Sequence, residues 1–231
     1  AVLSVTNSTI EYSASEGIYS YAVDPVILNN TISDCTSYGI YIDNDSSPSQ
    51  SNPEIRNNVI NNCYTPIYID SDATGGMTGT RMITENTGTG NTYNRIRLEG
   101  WFTGTTVLSA DNAFPWYFAS SPYVANSATL TLDPDAVIQI ASYFNIHGAL
   151  EAIGTALAPI IFTSDNDIQG GTPAAGDWGF IRVVDGGIAT FDYTEIRYGG
   201  YSTSDGVIDA SEGAVLSVTN STIEYSASEG I

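Results

Sequence analysis

Lysine is absent from the 231 residues, histidine occurs once (His147), and cysteine and methionine occur twice each. All six basic residues are arginines (Arg56, Arg81, Arg95, Arg97, Arg182, Arg197), set against 26 acids, for a net charge of −20 at pH 7. Such a surface repels nucleic acid and anionic membranes and attracts cations. No run of eighteen apolar residues exists, so neither a transmembrane helix nor membrane insertion is expected. The opening residues do not read as a signal peptide, which says little of a chain expected to start mid-repeat. Helical periodicity of useful length is also missing.

What is present is repetition. The segment "AVLSVTNSTIEYSASEGI" at 1–18 returns without a substitution at 214–231, a spacing of 213 residues. This reads as one period of a tandem array plus a short overlap, and identical copies suit a role in which length is the useful quantity. Two of the acids, Glu224 and Glu229, belong to the second copy, so one period carries −18. An apolar fraction of 42% with 22 glycines suits a globular or solenoid protein and is too apolar for a disordered one.

A shorter repeat lies inside the long one. "NSTIEYSASEGIYSY" (7–21), "NNTISDCTSYGIYID" (29–43) and "NNVINNCYTPIYID" (57–70) align, with "NDSSPSQSNPE" (44–54) as a loop between the second and third. In "IYID" the isoleucines Ile40 and Ile42 share one face while Tyr41 and Asp43 share the other, the alternation of a half-buried strand. Short strands recurring every 22 to 28 residues fit the coils of a parallel β-solenoid. A β-sandwich would need repeated hairpin turns, which the sequence lacks. Stacking then places Ile10–Ile32–Ile60 and Ile18–Ile40–Ile67 inside, and Tyr19–Tyr41–Tyr68 outside. An amide ladder is expected at Asn7–Asn29–Asn57.

The stretch 128–183, with "LTLDPDAVI", "GALEAIGT", "APIIFTS" and "GDWGFI", resembles the first coils of right-handed parallel β-helix domains in microbial surface proteins. The coils at 1–70 resemble the general repeat shared with pectate-lyase-like proteins. The resemblance implies one continuous right-handed parallel β-helix over 1–231, an all-β fold, and is nearly silent on activity. About nine coils per period, or roughly 43 Å of axial length, follow from ~24 residues per coil and the strand spacing.

Several residues stand out as carriers of chemistry. Asp43 and Asp45, and Asp70 and Asp72, follow equivalent "IYI" strands in neighbouring coils, where stacked carboxylates repel unless a cation such as Ca²⁺ sits between them. Asp165, Asp167 and Asp177 surround a Gly-rich turn where the resembled family carries an acidic loop that looks like a calcium loop. Cys35 and Cys63 occupy matching places, and stacked Cα atoms lie inside the disulfide window, which outside the cell favours a bond across coils. Asn7, Asn29, Asn44 and Asn220 sit in glycosylation sequons, with Asn44 the best acceptor because the others are expected ladder positions. A lyase or hydrolase of this fold needs carboxylates beside Lys or Arg; Arg95, Arg97 and Glu99 are the nearest such group but read as a strand of alternating surface charge, so no enzyme is expected. Trp101, Trp116 and Trp178, with a Tyr-rich outer face, are candidates for glycan contact, although Trp178 in "GDWGFI" reads as a packing residue.

The function expected is a structural one. The chain reads as a module of an extracellular or cell-surface filament, stalk or adhesin-like fibre, joined end to end to identical modules and stiffened by Ca²⁺. A carbohydrate-binding or polysaccharide-degrading β-helix is the alternative, with glycans as the ligand.

Overall fold

A computed structural model describes residues 2–44, 52–71, 77–80, 83–110, 113–201, 206–211 and 213–231. Asp45 and Asp72 lie outside the described residues. Every strand pairing among the described strands is parallel, and the one antiparallel contact there is an isolated bridge between Thr155 and Ala158.

The spine of the molecule is a nine-stranded ladder whose rungs follow chain order. It runs Ile18–Tyr21, Tyr38–Asp43, Thr65–Ser71, Ile96–Gly100, Trp116–Phe118, Val137–Ile140, Ile160–Thr163, Thr194–Arg197 and Thr222–Glu224. Alternation decides what each rung buries. Ile18, Ile40, Ile67 and Ile96 stack inward, followed by Trp116, Ile138, Phe162 and Ile196. Fully burying such a side chain contributes about 1.5–3 kcal/mol. The Ile10–Ile32–Ile60 column pairs as expected, with Ile32 and Ile60 buried and Ile10 only partly covered.

The other faces change along the axis. Early coils are closed by a four-stranded sheet that starts at Ser4–Thr6 and a three-stranded sheet that starts at Thr9–Glu11. Later coils are closed by a ten-stranded sheet that branches at the long strand Phe102–Leu108. The start of that strand pairs with Tyr123–Val124 and its end with Thr129–Leu132, so one strand seeds two ladders. Phenylalanines fill this half: Phe102, Phe118 and Phe144 lie 5.3 to 6.4 Å apart between centroids.

The corners correct one expectation. Asn7, Asn29 and Asn57 sit at φ of 50°, 57° and 57°, a left-handed corner that Asn tolerates and where the side chain points out. The amide ladder is built one residue later. Asn30 Nδ2 donates to Asn58 Oδ1, and Asn58 Nδ2 to Asn86 Oδ1, each at 3.0 Å, and all three residues are buried. The corner turns the following residue inward, where the mid-strand carbonyls of Val5, Ile27 and Ile55 accept from these amides.

Glycine is required in the spine strand Tyr38–Asp43. A Cβ on Gly39 would lie 2.4 Å from Ile60 Cγ2 and 2.7 Å from the Pro66 carbonyl. Coil packing is therefore tight enough at "YGI" to exclude any side chain.

The coil count is also corrected. Nine rungs make eight steps from Ile18 to Ile223, and Ile223 is the copy of Ile10, one face earlier in the coil than Ile18. One 213-residue period therefore spans eight coils and one face, about 40 Å at the strand spacing.

Candidate functional site

The outward side of the spine carries two columns. The first is Tyr19, Tyr41, Tyr68, Arg97 and Tyr117; the second is Tyr21, Asp43, Asp70 and Glu99. Their rings stack as the coils do. Tyr41 and Tyr68 are nearly parallel at 4.7 Å, Tyr19 lies 5.4 Å from Tyr41, and Tyr38 fills in 4.8 Å from Tyr68.

The columns are cross-tied. Tyr19 Oη donates to Asp43 Oδ2 at 2.7 Å, and Tyr68 Oη donates to Asp70 Oδ2 at 2.9 Å. The bond to Asp43, aided by partial burial, pushes the Tyr19 phenol up to about 12. Burial, then Asp70, raises Tyr68 in the same direction. Asp43 and Asp70 are register partners, as expected, so two carboxylates face the same side of adjacent coils.

Arg95, Arg97 and Glu99 do not form an open reactive group. Arg97 pairs with Glu99 and lies over the Tyr68 ring at 5.1 Å. Arg95 is 5% exposed, held between Tyr117 (3.6 Å) and Tyr93 (4.2 Å), and bonded to Asp165 at 2.6 Å.

That last bond explains the second acidic group. Ser164 caps a single helical turn, Asp165–Ile168, by accepting from the Asn166 N–H at 3.0 Å. Asp165 then reaches Arg95, while Asp167 meets Arg197 at 3.0 Å and the Thr163 hydroxyl at 2.8 Å. Asp177 accepts from Ser164 Oγ, Asn166 Nδ2 and the Ala174 N–H. Burial works against ionisation of Asp177, but those three donors outweigh it and hold the carboxyl below its usual value. Gln169 exchanges two 3.2 Å bonds with the backbone of Asn94. The three carboxylates thus turn to three different partners, and 164–177 is a strap stapled across the spine. Among the described residues no group of three or more His, Cys, Asp or Glu side chains is placed to hold a metal ion.

Cys35 and Cys63 stand unbonded in this structure, both buried and at matching places in adjacent coils. Each lies near the carbonyl two residues back, Ser33 at 3.6 Å and Asn61 at 3.3 Å. Burial, with Cys63 beside it, pushes the Cys35 thiol up to about 12.

Asn44 is only 3% exposed, and its backbone N–H bonds the Asp70 carbonyl. A glycan acceptor needs an accessible amide, which the exposed corner residues Asn7 and Asn29 offer and Asn44 does not; Asn220 is exposed, but its Nδ2 donates to Asp192 Oδ1 at 2.8 Å. Because the amide ladder runs through Asn30 and Asn58, those corners are free of that duty.

The tryptophans divide. Trp116 and Trp178 are core residues whose Nε1 atoms donate to the Ser109 and Arg197 carbonyls. Trp101 stacks on Tyr123 at 5.6 Å, and Tyr123 meets His147 edge-on at 5.8 Å. His147 in turn contacts Asp185 at 3.1 Å beside a shallow cavity of about 250 Å³. The sequence pointed to Trp101 but not to its partners, which are 22 and 46 residues away and meet only through stacking.

Residues 1–112 match the family model of the right handed beta helix region. No curated protein and no solved structure matches the chain. That family holds enzymes and structural proteins alike, so it decides the fold and leaves the activity open. With the match over residues 1–112, just under half of the chain, and parallel coils continuing to Thr222–Glu224, the fold is that of a right-handed parallel β-helix.

Proposed function

We propose that this β-helix is a repeating structural module of an extracellular or cell-surface fibre, stalk or adhesin-like filament, joined end to end to identical modules. One observation carries the reading: the duplicated segment adopts the same local structure twice, with its neighbours on opposite sides. As 1–18 it packs against the coil that follows; as 214–231 it packs against the coil that precedes. Its corners agree, with φ of 50° at Asn7 and 49° at Asn220, and 58° at Tyr12 and 53° at Tyr225.

Overlaying the two copies leaves no mismatched layer. Ile196 would lie under Ile223 (the copy of Ile10), and Ile32 over it. The Thr194 N–H donates to Ser221 Oγ, and its copy Ser8 donates its N–H to Asn30 Oδ1, so the polar ladder also continues. Calcium between the coils of Asp43 and Asp70, and a bond between Cys35 and Cys63, belong to this proposal as stiffening elements.

A protein of two periods tests it. X-ray scattering should give a single rod about 40 Å longer than one period, unfolding in one transition. Two bodies moving independently on a hinge would contradict it.

Carbohydrate binding is a second reading, favoured by the half-exposed Trp101–Tyr123 stack beside the His147 cavity. Quenching of tryptophan fluorescence by oligosaccharides, lost on Trp101→Ala, would support it.

A further inference from the structure

The two copies of the duplicated segment lie on different faces, and this sets how successive periods meet. Thr9–Glu11 opens the three-stranded sheet, whereas its copy Thr222–Glu224 is the last rung of the spine, whose first rung is Ile18–Tyr21. Ser4–Thr6 likewise belongs to the four-stranded sheet, and the strand containing its copy, Val215–Thr219, to the ten-stranded one. Bonds at the far end agree. Val207 N–H donates to the Glu229 carbonyl at 2.9 Å and Ile208 N–H to the Gly230 carbonyl at 3.1 Å. The second bond puts Ile231, the copy of Ile18, beside Ile208 and off the spine.

Resting on the tandem reading above, we propose that the edge of the Ile208–Ala210 strand receives the Ile18–Tyr21 strand of the following period. Each period is thereby turned by one face, about a third of a coil, from the one before. The junction is apolar inside, because Ile181 and Ile208 already stack and Ile18 and Ile40 would continue the column. Outside, Tyr19 of the following period lies over Asp209, as Tyr19 here lies against Asp43.

The tyrosine and acid columns therefore wind around the fibre and do not run along one side. Three periods, about 25 coils or ~120 Å, restore the starting face.

Cysteine pairing in a two-period protein tests the turn, in a background with Cys35→Ser and Cys63→Ser in both periods. Tyr19→Cys in the second period is combined with Asp209→Cys in the first, or separately with Arg197→Cys, the spine position an unturned stack would place beneath it. A disulfide with Asp209→Cys and none with Arg197→Cys is expected on mild oxidation. A bond with Arg197→Cys, or none with either in a protein that still scatters as one rod, would overturn the turn while leaving the tandem reading standing. Scattering from two separate bodies would overturn both.

Discussion

Asn58 is the residue on which most converges at the corner. Its amide donates to the Ile27 and Arg56 carbonyls and to Asn86, and accepts from Asn30. Asn58→Ala leaves several buried polar groups unpaired at about 1–3 kcal/mol each, so a loss of about 3 kcal/mol is expected in denaturant unfolding. A change below 0.5 kcal/mol would show that water replaces the amide. The tyrosines give a pH signature. The Tyr19 phenol is raised to about 12, above an ordinary value near 10, so the stabilisation it reports is complete below pH ~10 and disappears as pH climbs through 12. Melting temperature should hold level to about pH 9.5 and then fall, less steeply in the Tyr19→Phe, Tyr68→Phe variant; an equal fall in both would refute the tie to Asp43 and Asp70. At the thiols, burial makes the thiolate scarce, so oxidation is slow but the placement suits a bond. Unreduced peptide mapping of protein produced under oxidising conditions should link Cys35 to Cys63, and two alkylatable thiols after unfolding would reject it.

At the scale of strands and loops, the isoleucine and tyrosine columns were legible because a two-residue alternation repeated at near-constant spacing leaves one way to stack. The amide ladder was legible as a column but was placed one residue early. Both asparagines of "NN" repeat, and only the left-handed φ at Asn29 and Asn57 tells which one turns outward. The strap was not legible, since an acidic Gly-rich run reads as a cation loop until Arg95 and Arg197 are seen beneath it. Nor was the branch at Phe102–Leu108, because no repeat in the sequence marks a strand that serves two ladders. The two acidic groups should therefore respond differently to calcium. Millimolar Ca²⁺ should raise the melting temperature of the protein by linkage, and Asp43→Asn with Asp70→Asn should abolish most of that gain. Asp177→Asn should instead lower stability with and without calcium. A melting curve indifferent to Ca²⁺ and to chelator would remove calcium from the description.

As a whole molecule, one period sets 18 net negative charges along about 40 Å, or one per ~2.2 Å, approaching the ~1.7 Å of duplex DNA. A rod of that charge density repels its neighbours unless divalent cations intervene, which suits a fibre that is extended in dilute salt and bundled by cations. The identity of the two end segments was plain in the sequence, but the turn between periods was not, because it depends on which sheet each copy joins. Fibre diffraction from a protein of several tandem periods tests the proposed tandem β-helix most directly. The expected pattern has the strand reflection at about 4.8 Å along the fibre axis and a period of about 40 Å for each 213 residues. A strand reflection perpendicular to the axis, or an axial period far from 40 Å, would contradict it.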